Sequence, residues 1–127
     1  MSASAEPSAD RTIVEFPATD GYRSVGRLVL GGIAARFELP IDRVDDLLLA
    51  VESLLLQGPV GDTVRIEAEA TSSGLRVRLG SFRQNQLHDE ALRRVIAPLV
   101  DEIDERADGE TSSIELVVSA AYRDEGA

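Results

Sequence analysis

The sequence contains no cysteine, no tryptophan and no lysine, and its aromatic residues are three phenylalanines and two tyrosines. Without cysteine, the chain has no disulfide framework and no thiol chemistry. The opening MSASAEPSAD lacks the basic start and apolar stretch of a secretory signal. The most apolar segment, LLLAVESLLL, is interrupted by Glu52 and is too short to cross a bilayer. These absences predict a cytoplasmic protein without a membrane partner.

The charge of the chain is strongly negative, with a formal net charge of −10 at pH 7. All 13 basic residues are arginines, and they are scattered, with only Arg93 and Arg94 adjacent. Nucleic acid and anionic membranes repel such a protein unless it has a local basic patch. We therefore expect no nucleic-acid partner. An acidic surface suits a basic protein partner, although solubility alone is a more common reason for it.

The length of 127 residues supports one domain with a two-layer core. Hydrophobic residues make up 43% of the chain and charged residues 28%, which are values of a globular protein. The small, polar residues at both ends predict disordered tails at 1–10 and 123–127. The folded domain is expected to cover residues 11–122.

The first part of the domain predicts a strand and a helix. RTIVEF is rich in β-branched residues and stops at Pro17, which favours an edge strand. The segment ATDGYRSVGRLVLGGIAARFEL has the spacing of a helix, with Thr19 or Asp20 as the N-cap. Gly31 and Gly32 weaken this helix but let another backbone approach closely. Its apolar residues at helical spacing are Val25, Leu28, Val29, Ile33 and Phe37.

A second helix is predicted in LPIDRVDDLLLAVESLLLQG. Pro40 suits its first turn, acidic residues follow it, and Gly58 with Pro59 ends it. The chain then changes to strict alternation in DTVRIEAEA and GLRVRLGSF, which predicts a hairpin closed by TSSG.

The last third predicts one more helix and a closing hairpin. SFRQNQLHDE is a polar loop in which Asp89 is available as an N-cap. EALRRVIAPLVDEI is helical, with a break before Pro98 and one apolar stripe; the stripe is Leu92, Val95, Ile96, Leu99 and Val100. SIELVVSA is typical of a strand, and Asp108 with Gly109 marks a turn before it. Residues 103–106 form either a preceding strand or a continuation of the helix.

The predicted order is therefore β-α-α-β-β-α-β-β. Hairpin-linked strands make an antiparallel or mixed sheet, and helices on one face bury it. The fold class is α+β, a two-layer α/β sandwich.

This order and several segments resemble the Bergerat-type ATPase domain, which histidine kinases, type II topoisomerases and bacterial anti-sigma serine kinases share. The segment FPATDGYRSVGRLVLGGIAARFELPIDRVDDLLLAVES resembles the opening of an anti-sigma serine kinase, and LVDEIDERADGETSSIELVVSA resembles its end. The resemblance covers most of residues 11–121. It implies the histidine-kinase-like ATPase fold.

The resemblance also shows where the chain departs from the family. A typical second helix reads AVSEAVTNA, in which Glu is the general base and Asn, four residues on, binds magnesium. In AVESLLLQG these positions fall on Ser53 and Gln57, and Glu52 is one residue early, about 100° around the helix. Serine is no base at neutral pH, and losing a general base costs ~10²–10⁴ in rate.

Two further family elements are altered. The DxGxG turn that holds adenine corresponds to RLGSFRQ, so that Leu79, Gly80 and Ser81 stand at the vestigial adenine site. The glycine-rich phosphate cradle corresponds to NQLHDEALRRVI, which has no glycine and carries Asp89 and Glu90. The leucines of the second helix are expected to fill the vacated pocket or to form a protein interface: Leu48, Leu54 and Leu56.

Three hypotheses follow from these residues. The first is an anti-sigma-like regulator that acts by protein–protein contact and whose ATP site is degraded, without cofactor, metal or catalytic residue. The second is an active ATP-dependent serine kinase in which Glu52 and Gln57 are the catalytic residues and ATP with magnesium is the cofactor. The third is a noncatalytic subunit that pairs with an active homologue.

The resemblance implies partners such as a sigma factor or an anti-anti-sigma protein, and a homodimer formed around the first strand and helix, in residues 11–37. His88, beside Asp89 and Glu90, does not have the spacing of a metal site and is expected to be a surface residue. Arg93 and Arg94 are expected to lie on a solvated helix face.

Overall fold

The computed structural model describes residues 11–19, 21–72 and 74–119. The predicted tails at 1–10 and 123–127 lie outside these residues. Within them the elements are β1 (Arg11–Pro17), α1 (Tyr22–Arg36), α2 (Ile41–Leu55), β2 (Thr63–Ala70), β3 (Gly74–Arg83), α3 (Glu90–Ile96), β4 (Glu102–Asp108) and β5 (Thr111–Ser119). Short 3₁₀ turns at Gln86–His88 and Ala97–Leu99 flank α3.

The five strands form one antiparallel sheet in the order β1-β2-β3-β5-β4. The predicted order of elements along the chain and the α+β class are confirmed. The open choice at residues 103–106 resolves to strand, because this segment pairs with β5. β1 is an edge strand as predicted, and β4 forms the opposite edge. Hairpins link β2 to β3 and β4 to β5, whereas the α1–α2 pair links β1 to β2 and α3 links β3 to β4.

Alternation along the strands separates a buried face from a charged one. On β2, Val64, Ile66 and Ala68 point to the helices and are fully buried. The opposite face carries neighbouring charges of both signs, such as Arg78, which pairs with Glu67 on β2 and Glu115 on β5. The buried face and the helices therefore form the core, and the other face of the sheet is open.

Glu115 is the best-satisfied charge on the open face. It is 9% exposed, and three arginines surround its carboxylate. The nitrogen–oxygen distances are 3.1 Å to Arg78, 3.5 Å to Arg106 and 3.9 Å to Arg76. Charges of alternating sign across neighbouring strands support the sheet where it faces water.

The packing face of α1 differs from the predicted stripe. Leu30, Ile33 and Ala34 face the core, whereas Val25 is 42% exposed and Leu28 is 77% exposed. In the predicted stripe, Ile33 is buried and Val29 and Phe37 pack against the core, so the periodicity predicted the helix and part of its packing side, but was wrong at Val25 and Leu28. The reason is local: a Cβ at Gly26 would lie 3.0 Å from Cδ1 of Leu55, so the side of α1 at Gly26 lies closest to α2.

The predicted N-cap of α1 is also wrong at Thr19. Gly21 occupies the N-cap with φ 87°, a conformation that glycine adopts without strain; Asp20 lies outside the described residues. No described atom comes within 4 Å of a Cβ built on Gly31 or Gly32, so the space beside these glycines is open in the described chain.

Helix α2 is tied to the end of α3 through a buried arginine. Arg43 is 6% exposed, and its Nη2 donates to the Leu99 carbonyl at 3.1 Å and lies 3.5 Å from the Asp46 carboxylate. Pro40 precedes the helix at the N-cap, one position before the predicted first turn. This contact links α2 to the 3₁₀ turn at Ala97–Leu99.

Helix α3 begins as predicted and stops at the predicted break, so it is shorter than the predicted segment EALRRVIAPLVDEI, and its stripe differs at one residue. Oδ1 of Asp89 accepts from the amides of Ala91 and Leu92 at 2.9 and 3.2 Å, which confirms the N-cap. The helix ends at Ile96, before Pro98. Val95, predicted for the core stripe, is 52% exposed. No helix in the described part of the chain is long and apolar enough to cross a membrane.

Candidate functional site

The polar residues of α2 face different neighbours. Oε1 of Glu52 lies 3.1 Å from Nη1 of Arg27, so this carboxylate turns towards α1. The hydroxyl of Ser53 donates to the Leu49 carbonyl of its own helix at 2.8 Å. Gln57 follows the end of α2 at Leu55 and is exposed. Glu52 and Gln57 are therefore not held together as a pair.

A shallow groove of about 280 Å³ runs between the end of α2 and α3. Ser53 and Gln57 line it, and Glu52 does not. Apolar side chains and one carboxylate complete the lining, namely Leu56, Ala91, Leu92, Val95 and Asp89. The polar side chains that line the groove are therefore one hydroxyl, one amide and one carboxylate. The carboxylate already accepts two backbone hydrogen bonds.

The leucines predicted to fill a pocket or an interface divide between the two roles. Leu54 is fully buried in the core, and Leu48 packs against the core while partly exposed. Leu56 is 58% exposed and lines the groove. Only Leu56 is therefore available to a partner in the groove.

The predicted adenine-site residues lie elsewhere. Leu79, Gly80 and Ser81 line a concavity of about 370 Å³ that also contains Arg11, Arg65, Glu67, Arg78, Asp108 and Ser113. The side chain of Leu79 is fully buried, and Ser81 is exposed. The structure thus brings Ser53 and Gln57 together in one cavity and Leu79, Gly80 and Ser81 in another.

A further polar group, which the sequence analysis does not identify, accepts several hydrogen bonds. The carboxylate of Glu105 on β4 accepts hydrogen bonds from three consecutive backbone amides, at 2.6 Å from Asn85, 3.1 Å from Gln86 and 3.0 Å from Leu87. The buried hydroxyl of Ser112 donates to the same carboxylate at 2.7 Å. Four donors therefore converge on one side chain.

This arrangement shifts the acidity of Glu105. Burial alone raises its pKa, but the hydrogen bonds from Leu87, Ser112, Gln86 and Asn85 outweigh burial and lower the pKa below its ordinary value of 4.5. Glu105 is therefore held as a carboxylate. No short sequence motif predicts this site, because Glu105 and the three backbone amides are separated by 18–20 residues along the chain.

A polar cavity of about 250 Å³ lies beside Glu105, lined by His88, Arg93, Gln84, Asn85, Leu87, Ile103, Asp104 and Ala107. His88 and Arg93 are exposed, as predicted. Among the residues that the structure describes, no group of three or more histidine, aspartate or glutamate side chains is arranged to hold a metal ion.

The fold is that of the histidine-kinase-like ATPase domains: an antiparallel sheet with the helices on one face. Thirteen chains of solved structures are similar to it. One is the crystal structure of the RsbU and RsbW domains of Rv1364c from Mycobacterium tuberculosis, with a TM-score of 0.68 and 13% sequence identity. The match covers 86% of this chain and 32% of that one.

At this identity, the similarity establishes the fold alone. The chain spans about a third of the length of the similar structure, so the activity and partners of that larger protein do not transfer with the fold. No protein-family model matches the sequence, and no curated protein matches it.

Proposed function

We propose that the protein is an anti-sigma-factor-like regulator that acts by binding a protein partner, with a degraded ATP site and without kinase activity. The observation that carries this proposal is the orientation of α2. The carboxylate that a kinase needs, Glu52, pairs with Arg27 on the α1 side, whereas Gln57 lines the groove on the α3 side. General-base catalysis and metal binding need both groups beside the same ligand.

The lining of the α2–α3 groove supports the same proposal. Leu56 and Val95 expose apolar surface there, and the carboxylate of Asp89 lies at its edge. The phosphates of a nucleoside triphosphate would meet a negative charge there, whereas they need hydrogen-bond donors or a cation. Exposed apolar residues rimmed by polar ones are instead typical of protein contacts.

Calorimetric titration with ATP and ADP, with and without magnesium, tests the loss of the nucleotide site. A folded sample that releases no detectable heat agrees with the proposal. Magnesium-dependent binding at micromolar affinity contradicts it and makes the ATP-dependent serine kinase the better function. In that case Glu52→Gln and Gln57→Ala are the first variants to assay, with phosphate transfer to serine as the readout.

The proposed partner surface is formed by β1 and the outer side of α1. On the edge strand, Ile13 is 44% exposed on the face of the sheet away from the helices, opposite Glu67. On the helix, Val25 and Leu28 expose apolar side chains. Beside them, Gly31 and Gly32 leave room for the backbone of another chain. A homodimer, a sigma factor and an anti-anti-sigma protein are the proposed occupants.

The same surface suits the third function, a noncatalytic subunit that pairs with an active homologue, because an edge strand and an apolar helix accept a similar chain as readily as an identical one. Co-purification with a tagged sigma factor, an anti-anti-sigma protein and a complete kinase domain, each expressed separately, distinguishes these partners. Retention of the kinase domain alone supports the subunit; retention of the sigma factor supports the regulator.

A further inference from the structure

The segment between β3 and α3 is held by side chains of the β4–β5 hairpin. Three consecutive amides, those of Asn85, Gln86 and Leu87, point at the two oxygens of Glu105. Asn85 reaches this geometry in a left-handed conformation with φ 69°. Successive amides that converge in this way form a concave site for negative charge, and here the charge is supplied by the chain itself.

One hydrogen-bond partner of Glu105 is a buried hydroxyl. Ser112 on β5 is 1% exposed, and its hydroxyl lies 2.7 Å from Oε2 of Glu105 and 3.3 Å from the Arg83 carbonyl. Because a hydroxyl donates one hydrogen, the shorter contact is the hydrogen bond to the carboxylate. Hydrogen bonds to an ionised acceptor are about twice as strong as neutral ones.

A second connection holds the same segment a few residues earlier. The side-chain amide of Gln84 donates to the carbonyl of Gly109 in the β4–β5 turn and lies 3.4 Å from the carbonyl of Thr111. The segment 84–87 is therefore attached to the hairpin at both of its ends. The next residues carry His88 and Asp89, and Asp89 caps α3 and lines the α2–α3 groove.

We propose that Glu105 is a latch: its carboxylate ties the segment 84–89 to the edge strand β4 and keeps this segment, and with it the start of α3, ordered without any bound ligand. Through this latch, the position of Asp89 at the rim of the α2–α3 groove depends on β4, which is an edge strand of the sheet. Loss of the carboxylate frees three amides at once and releases the segment while the sheet stays folded.

The inference stands on these hydrogen bonds alone, and only its meaning for function rests on the proposed loss of the nucleotide site. Under that proposal, the chain uses its own carboxylate to order the segment that corresponds in position to the phosphate cradle of the kinases. The two ideas fail separately. Nucleotide titration reports on ligand binding, whereas the latch is tested by the order of the segment in the ligand-free protein.

Hydrogen–deuterium exchange of the full chain tests the latch. The variants are Glu105→Ala and Glu105→Gln, and the matched control is Glu102→Ala, which removes an exposed carboxylate from the same strand. The amides of 85–92 report on the segment, and the amides of the β2–β3 hairpin report on the fold in the same sample. In Glu105→Ala we expect exchange of the segment to rise about tenfold or more, because several charge-assisted hydrogen bonds are lost.

Added acetate provides the second readout. A small carboxylate fits the space that Glu105→Ala vacates, so acetate is expected to restore protection of the segment in this variant and to leave the wild type and Glu102→Ala unchanged. Glu105→Gln is expected to lie between the two, because its amide retains an acceptor oxygen but presents a donor to the backbone amides.

Wild-type protection of 85–92 in Glu105→Ala overturns the proposal. A loss of protection spread evenly over the β2–β3 hairpin and the segment in both Glu105 variants also overturns it, because a latch acts locally.

Discussion

Glu52 and Ser53 are neighbours in the chain but serve opposite sides of α2: the Glu52 carboxylate lies 3.1 Å from the Arg27 guanidinium of α1, and Ser53 lines the groove towards α3. The rotation of about 100° between consecutive helical residues thus turns the Glu52 carboxylate away from the groove. The contact to Arg27 is an exposed ion pair, with 53% and 41% of the two side chains exposed. Its contribution to stability is accordingly small.

Glu52→Gln is expected to lower the free energy of unfolding by less than about 1 kcal/mol. Urea unfolding of Glu52→Gln, Arg27→Gln and the double variant measures the coupling between the two residues. Nucleotide binding and ATP turnover are expected to be the same in wild type and Glu52→Gln. If the wild type turns over ATP and the variant does not, Glu52 is a catalytic residue and the kinase is the correct function.

Arg43 is expected to matter more for stability than any exposed arginine. Arg43→Ala removes the donor to the Leu99 carbonyl and leaves space in a buried contact, which we expect to cost about 2 kcal/mol. Arg43→Met retains most of the packing and separates the hydrogen bond from the volume. The control is Arg94→Ala on the exposed face of α3. Equal unfolding midpoints for Arg43→Ala and Arg94→Ala contradict the assigned role of Arg43.

The lowered pKa of Glu105 predicts how stability depends on pH. The pKa in the folded protein is below the ordinary value of 4.5. The stabilisation is therefore fully present above that value and is lost as the pH falls through the lower pKa of the folded state. His88, Arg93 and Asp104 line the cavity beside Glu105 and are the same in the two proteins compared below.

Thermal unfolding of wild type and Glu105→Gln across the range from neutral to strongly acidic pH measures this dependence. The difference in unfolding temperature is expected to be constant near neutrality and to shrink below pH 4.5. A difference that stays the same down to the lowest pH at which both proteins fold means that Glu105 is not the group that titrates.

Leu28 provides the sharpest test of the β1–α1 partner surface. It is 77% exposed, so Leu28→Asp is expected to leave the unfolding midpoint nearly unchanged. If the protein is a dimer through this surface, the same variant is expected to shift the mass in solution to that of a monomer. Light scattering coupled to gel filtration gives the mass.

The matched control for this experiment is Leu49→Asp on α2, a leucine that is 50% exposed outside the proposed surface. It is expected to keep the mass of the wild type. If both substitutions shift the mass equally, the dimer contact does not lie at the β1–α1 surface. If the wild type is itself a monomer, the homodimer is excluded, and the surface still suits a partner of another sequence.

The sequence predicts where the helices and strands lie along the chain better than it predicts which side of each one is buried. Alternation in β2 and β3 identifies both the strands and their buried sides, because an amphipathic strand has only two faces. In α1 the apolar residues are spread around the helix, so spacing alone did not reveal that Leu30 packs inward while Leu28 faces solvent. The close approach at Gly26 decides the orientation, and it depends on Leu55 of another helix.

The candidate site was predicted less well, for a different physical reason. Glu52, Ser53 and Gln57 were identified from their positions in one helix, but which neighbour each side chain meets is a property of the packed helices. Glu105 is separated by a whole helix from the amides it binds. No local pattern reports such a contact, since it exists only after β4 has paired with β5.

The position of β1 in the sheet has a consequence for the order of folding. The β2–β3 and β4–β5 hairpins close over short turns, with Ala70 opposite Leu75 and Asp108 opposite Thr111. β1 instead reaches its place only across both long helices, with Pro17 opposite Thr63. Closing that loop costs more chain entropy, so β1 is expected to dock late and to detach first. The edge strand of the proposed partner surface is thus also the strand that detaches most readily from the monomer, which favours exchange of β1 between two chains.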